Sequence, residues 1–218
     1  MTDFKDLLNG KEYLINDRLL SCDYNKVKKI LEMEEWNDKR FAQMLGPTIW
    51  YRSYDEIKKV LNMEEWNNPK YFSLLTSNIW HSNYENIKSI LALEEWQDER
   101  FKKLLTSNIW KNRYETIVIK LNLPYWNKEE YTHLLVPSLF TLPINNIIYG
   151  IELFEENGIG EYVTNKALRH NLENLKKIFA YMKEHNFELL LSTKETKKLV
   201  LNPIFSMPNT ELKKERVL

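Results

Sequence analysis

Lysines recur at a fixed interval in the first half of the chain. Lys28, Lys58 and Lys88 stand 30 residues apart, with Lys29 and Lys59 beside the first two. On helices stacked side by side, such a ladder would repeat every helix diameter, about 10 Å. Ammonium groups at that spacing can follow a phosphate backbone; a plain solvated helix face would carry the same lysines. Three short segments vary while their flanks repeat: Tyr51-Arg52-Ser53, His81-Ser82-Asn83 and Lys111-Asn112-Arg113. Arg52 and Arg113 suit phosphate or guanine, and Asn83 or Asn112 suits adenine. Relaxed constraint at exposed loops gives the same variation. The candidate nucleic-acid-binding set is therefore Lys28, Lys29, Lys58, Lys59, Lys88, Arg52, Asn83, Lys111 and Arg113.

Other columns carry different chemistry. Glu34/Glu35, Glu64/Glu65 and Glu94/Glu95 suit helix-dipole complementation or pairing with lysines of a neighbouring unit, or else a basic partner. The tryptophans at 36, 66, 96 and 126, and those at 50, 80 and 110, keep register with the apolar positions and so read as core. A series left partly exposed would offer surfaces on which bases stack. Catalysis finds no foothold. His81, His133, His170 and His185 have no metal-ligand spacing, Cys22 has no identifiable base, and no glycine-rich phosphate loop or nucleophile elbow is present. The expectation is a non-enzyme that needs neither cofactor nor metal.

These side chains are positioned by a repeat. Glu-Glu-Trp recurs at 34–36, 64–66 and 94–96, and Leu74-Leu75-Thr76-Ser77-Asn78-Ile79-Trp80 returns unchanged at 104–110. Tyr24, Tyr54, Tyr84 and Tyr114 form a further series. Four regular units cover residues 21–50, 51–80, 81–110 and 111–140, after a degenerate unit at 1–20. Residues 141–218 read as diverged units, with Pro203-Ile204-Phe205-Ser206-Met207-Pro208 echoing Pro137–Pro143. With no Pro/Gly/Ser-rich linker, 1–218 reads as one continuous array.

Each unit reads as two helices. Tyr54, Ile57, Val60 and Leu61 mark an apolar stripe of helical period, and Ser53 with Glu56 has the form of a capping box. Tyr71, Leu74 and Leu75 mark the second helix, with Glu64-Glu65 in its first turn. The Thr-Ser-Asn-Ile-Trp stretch predicts a short turn or 3₁₀ segment that inserts its Trp into the core. A 30-residue unit cannot bury its own apolar face, so units must stack. The fold class expected is all-α, an α-solenoid of helical hairpins with a concave binding face.

The totals agree with a binding role. Thirty-one basic residues balance 31 acidic ones, which removes the bulk attraction of a polycation to nucleic acid or membrane. The balance is uneven along the chain: residues 168–218 hold ten basic and six acidic residues, including Lys194, Lys197, Lys198, Lys213, Lys214 and Arg216. One cysteine excludes an internal disulfide and suits a reducing compartment. No run is apolar enough to span a bilayer and no secretory signal opens the chain, so a cytoplasmic location without membrane contact is expected.

Residues 131–159 resemble a known family. Tyr131-Thr132-His133-Leu134-Leu135-Val136-Pro137-Ser138-Leu139-Phe140, then Ile144-Asn145-Asn146-Ile147 and Ile151-Glu152-Leu153-Phe154-Glu155-Glu156-Asn157-Gly158-Ile159, look like the repeat of mitochondrial transcription termination factors (mTERF). Pro47 and Pro203 fill the same proline slot, taken by Ser77 and Ser107 in two units. The resemblance implies an α-solenoid that binds DNA or RNA along its concave face. Balanced charge, acidic columns and abundant aromatics suit a protein-interaction scaffold instead, with a protein partner and no nucleic acid.

Overall fold

The computed structural model describes residues 4–158, 160 and 163–184, and every regular element among them is helical. The chain divides into two compact bodies, Met1–Leu123 and Pro124–Leu218. The first holds α1 (Phe4–Leu8), α2 (Asp17–Leu20), α3 (Tyr24–Leu31), α4 (Lys39–Ala42), α5 (Tyr54–Leu61), α6 (Tyr84–Leu91), α7 (Glu99–Lys102) and α8 (Tyr114–Leu121), joined by 3₁₀ turns. The second holds 3₁₀ segments at Pro124–Asn127, Glu129–Leu134, Pro137–Thr141 and Ala167–Arg169, with α9 (Ile144–Glu156) and α10 (Leu172–Glu184).

The repeating unit is one two-turn α-helix followed by three short helical turns, which corrects the expected helical hairpin. In residues 51–80, α5 gives way to 3₁₀ turns at Glu64–Asn67, Pro69–Leu74 and Ser77–His81. Extended residues Met63, Asn68 and Thr76 separate these segments. Glu64 and Glu65 open a turn of their own, ahead of the expected helix. That helix is a 3₁₀ segment at Pro69–Leu74, and its counterparts α4 and α7 are α-helical for only four residues each. Ser77–His81 is the expected 3₁₀ segment, and Trp80 is buried.

An isolated eight-residue helix is unstable in water, so these helices depend on caps and packing. Asp23, Ser53 and Asn83 each accept a hydrogen bond from the backbone N–H three residues on, capping α3, α5 and α6. The stripes Val27/Ile30/Leu31, Ile57/Val60/Leu61 and Ile87/Ile90/Leu91 are buried. Both tryptophan series bind backbone carbonyls. Trp36, Trp66 and Trp96 donate from Nε1 to the carbonyls of Ile30, Val60 and Ile90, each at 2.6 Å. Those carbonyls belong to the last turn of each helix, where no in-helix N–H lies four residues on. Trp50, Trp80 and Trp110 donate to the carbonyls of Leu14, Met44 and Leu74, 36 residues upstream in the preceding unit, at 2.8, 2.6 and 2.8 Å. One series closes each unit and the other joins it to its neighbour. In the first body α3 packs on α5, α5 on α6, and α6 on α8.

In the second body the 30-residue register continues further than the sequence pattern indicates. Ile144, Ile147 and Ile151 fall at the places of Tyr114, Ile117 and Leu121. Helix α9 then runs on to Glu156 where earlier helices stop. The residue that opens a new turn elsewhere is an exposed Glu34, Glu64 or Glu94; here it is Phe154, buried edge-on against Phe179 of α10 with ring centres 5.1 Å apart. Gly150 replaces the aliphatic residue of the stripe because Leu168 lies where a Cβ would fall. The Pro203–Pro208 echo and the basic residues from Lys194 onward lie outside the described residues.

Two outcomes follow from this packing. Trp80→Phe removes the indole donor and leaves the Met44 carbonyl unpaired, which should cost about 1–3 kcal/mol in urea unfolding. The Thr76 and Thr106 hydroxyls are buried without a hydrogen-bond partner, whereas Val136 holds the equivalent position. Thr76→Val and Thr106→Val should each raise stability by on the order of 1 kcal/mol, seen as a higher urea midpoint.

Candidate functional site

The variable segments of the first body meet at one place. An open cleft of about 780 Å³ runs along the N-terminal ends of α6 and α8, lined among others by Arg52, His81, Asn83, Lys111, Asn112 and Arg113. Glu85 and Glu115 supply negative charge on the same walls. Four members of the candidate set, Arg52, Asn83, Lys111 and Arg113, are thus brought together. The lysine ladder stays outside. Ser89 lines the cleft, while Lys88 lies about 100° around the helix from it.

Most of the variable residues hold the stack together. Arg52 donates from Nε to the Trp80 carbonyl at 3.0 Å and meets Glu56 at 3.4 Å. Ser82 donates to the Trp110 carbonyl at 2.9 Å, and Lys26, beside Cys22, donates to the Trp50 carbonyl at 3.1 Å. Arginine, serine and a lysine therefore satisfy the same acceptor in three successive units. Asn83 is the cap of α6, so its side-chain oxygen is already engaged. Glu56 and Asn86 complete the pattern by accepting from the backbone N–H of Tyr84 and Tyr114 at 3.1 and 2.8 Å. Glu56 therefore caps the next unit's helix instead of closing a capping box on Ser53. Lys111 and Arg113 differ from these: neither side chain has a hydrogen-bond or ion-pair partner among the described residues. Arg113 also stands at the N-cap of α8 and makes no capping bond.

On the helix faces, Lys28 pairs with Glu32 at 3.9 Å. The Lys58 ammonium lies 5.9 Å from the ring centre of Tyr54, one turn back on α5. That of Lys59 lies 6.0 Å from the ring centre of Tyr84 in the next unit. Lys29, Lys58, Lys59 and Lys88 are exposed. Neither tryptophan series supplies a stacking surface, since all seven rings except the half-buried Trp36 are buried. The partly exposed rings of each unit are instead Tyr24, Tyr54, Tyr84 and Tyr114.

Sequence reading missed Lys120. It falls at the stripe position of Ile30, Val60 and Ile90, and its side chain is buried with Nζ 3.1 Å from Asn112 Oδ1. Register alone could have found it. Burial disfavours the charged form and pulls its pKa down to about 8. In the second body Lys128 and the Tyr131 hydroxyl converge on Glu155, holding that carboxylate below its usual range, with Lys128 the larger cause. Burial and then Glu152 push Tyr125 up to about 12.

Among the described residues no group of His, Cys, Asp and Glu is arranged to hold a metal, and no helix is long and apolar enough to cross a membrane. Comparison with protein-family models, curated proteins and solved structures finds no match.

The depressed Lys120 pKa has a measurable consequence. Between pH 8 and 10 the unfolded chain, with an ordinary lysine, binds more protons than the folded one, so stability rises with pH. The rise should be about 2 kcal/mol, and Lys120→Met should flatten it. Urea unfolding of both proteins at pH 8, 9 and 10 measures the difference. Above pH 10 the raised tyrosine pKa values oppose the trend, because the unfolded phenols lose their protons first.

Proposed function

We propose that the chain is a non-catalytic, cytoplasmic binding protein whose units stack as an α-solenoid and hold nucleic acid. The observation that carries this reading is the lysine ladder. Lys28, Lys58 and Lys88 occupy equivalent places on three helices in contact with one another, with Lys29 and Lys59 one residue on. Phosphate contact needs cations that are accessible and periodic, and a helix repeat of about 10 Å supplies the period. The mTERF-like stretch at 131–159 supports the same choice. Zero net charge does not oppose it, because the attraction is local to the ladder. Arg52 and Asn83 act in this reading as scaffold residues, while Lys111 and Arg113 remain accessible for the ligand.

A second reading rests on the cleft. Lys111 and Arg113 line the cleft together with Glu85 and Glu115, and mixed charge of that kind suits a protein segment. Salt separates the two. Phosphate contacts release counterions, so log K should fall linearly with log salt, by about 0.7–0.9 per phosphate contacted.

The test is fluorescence-polarisation titration of labelled DNA and RNA at several salt concentrations. Micromolar or tighter binding is expected, with a salt slope reduced by about 2–3 in the Lys28→Ala/Lys58→Ala/Lys88→Ala protein. No binding at low salt would remove the nucleic-acid reading and leave the protein-binding one.

A further inference from the structure

The polar lining of the cleft divides into side chains that are bonded and side chains that are not. Arg52, Ser82, Asn86 and Asn112 are all hydrogen-bonded within the stack. Glu85, Lys111, Arg113 and Glu115 are exposed, and none of their side chains meets a hydrogen-bond or ion-pair partner among the described residues. Two cations and two carboxylates thus line one open cleft of about 780 Å³ without pairing with one another. That volume falls in the range of ligand-binding clefts.

Helix electrostatics accounts for the carboxylates but not for the cations. Glu85 and Glu115 are the second residues of α6 and α8, where the positive end of the helix dipole favours an anion. Lys111 and Arg113 precede the first turn of α8, where the same dipole disfavours a cation. The two units before place no lysine or arginine there, having Tyr51 and Ser53, then His81 and Asn83. Ser53 and Asn83 cap their helices, and Arg113 forgoes that bond. Both cations therefore weaken the start of α8, and such breaches of local rules mark positions kept for function.

We propose that the cleft docks an extended protein segment carrying charges of both signs, an acidic side chain on Lys111 and Arg113 and a basic one on Glu85 and Glu115. The proposal rests on the second reading above, that the cleft holds a protein segment, and names the chemistry of that segment. Nucleic acid suits the cleft less well, because its charges are all negative and Glu85 and Glu115 repel them. A purely acidic segment meets the same repulsion, and a purely basic one is repelled by Lys111 and Arg113. A peptide backbone has a partner as well. The Asn83 side-chain oxygen is used in capping α6, which leaves its amide N–H groups to donate to a backbone carbonyl.

The experiment titrates the protein into labelled peptides of one length by fluorescence polarisation at low salt: alternating Glu and Lys, all Glu, all Lys, and Gly-Ser. A single-stranded DNA of mixed sequence is the remaining probe. The alternating peptide should bind about fivefold or more tighter than any other peptide. Lys111→His/Arg113→Asn restores the residues of the preceding unit, so this protein should fold with a higher urea midpoint and yet lose the preference. Glu85→Gln/Glu115→Gln should lose it too. A preference that survives both changes would overturn the proposal, since the four residues would then act on stability alone. Equal binding of alternating and single-sign peptides, weakened alike by Lys111→His/Arg113→Asn, would overturn the mixed-charge requirement and leave a protein segment in the cleft. Binding of no peptide would overturn both. Loss of DNA binding in the Lys111→His/Arg113→Asn protein would also overturn the proposal and assign the cleft to nucleic acid.

Discussion

The units at 21–50, 51–80 and 81–110 each contain two indole N–H groups, and their hydrogen bonds to backbone carbonyls organise the rest of the first body. A tryptophan ring brings a large apolar surface into the core, but its N–H must find an acceptor there or cost the full desolvation of a polar group. In this chain the acceptors are carbonyls at or just beyond the ends of the short helical segments. The 36/66/96 series binds the last turn of its own unit's helix, and the 50/80/110 series binds the unit before. The carbonyls of Ile30, Val60, Ile90 and Leu74 each accept a backbone N–H as well, so the indole takes the second lone pair there. An eight-residue helix is stable in this setting because its ends are satisfied by side chains from its own and adjacent units.

That constraint explains why the loop residues vary without disorder in the contacts they make. The Trp carbonyl at the end of each unit takes a donor from the start of the same unit, and geometry fixes where the donor must be, not which residue supplies it. Lys26, Arg52 and Ser82 reach it from different lengths of side chain. Variation that suggests ligand specificity is therefore partly variation in how one bond is made. Arg52 illustrates the error that follows from counting charges: its guanidinium is held between a carbonyl and Glu56.

Much of this was legible in the residues. Three registers at one spacing fixed the unit, the Ser53 cap was readable from its type, and the burial of Trp80 followed from the apolar company it keeps. The division of each unit into four short segments was not legible. Periodicity distinguishes helix from strand, yet a 3₁₀ turn and a short α-turn differ by one residue in hydrogen-bond spacing and share the same apolar positions. Cross-unit bonds were hidden for another reason: a donor and an acceptor 36 residues apart, as Trp80 and Met44 are, leave no mark in either local pattern. Lys120 was legible in principle, since it interrupts a column of aliphatic residues, but a lysine in a sequence reads by habit as surface.

The division between residues that bond to neighbours and residues that do not is what locates a binding surface on a repeat array. Tryptophans, caps and the carbonyl donors are held by bonds within their own unit or to the unit before, so they cannot also adapt to a ligand without weakening the stack. The outward positions of the helices carry no such duty, and they change steadily along the first body. Lys28, Lys58 and Lys88 give way to Val118, and Lys29 and Lys59 give way to Ser89 and the exposed Ile119. A face that begins basic and ends apolar is not set by packing, because the buried stripe beneath it stays aliphatic until Lys120. Zero net charge over the whole chain is therefore an average over surfaces of different character, and a ligand is selected by the local one.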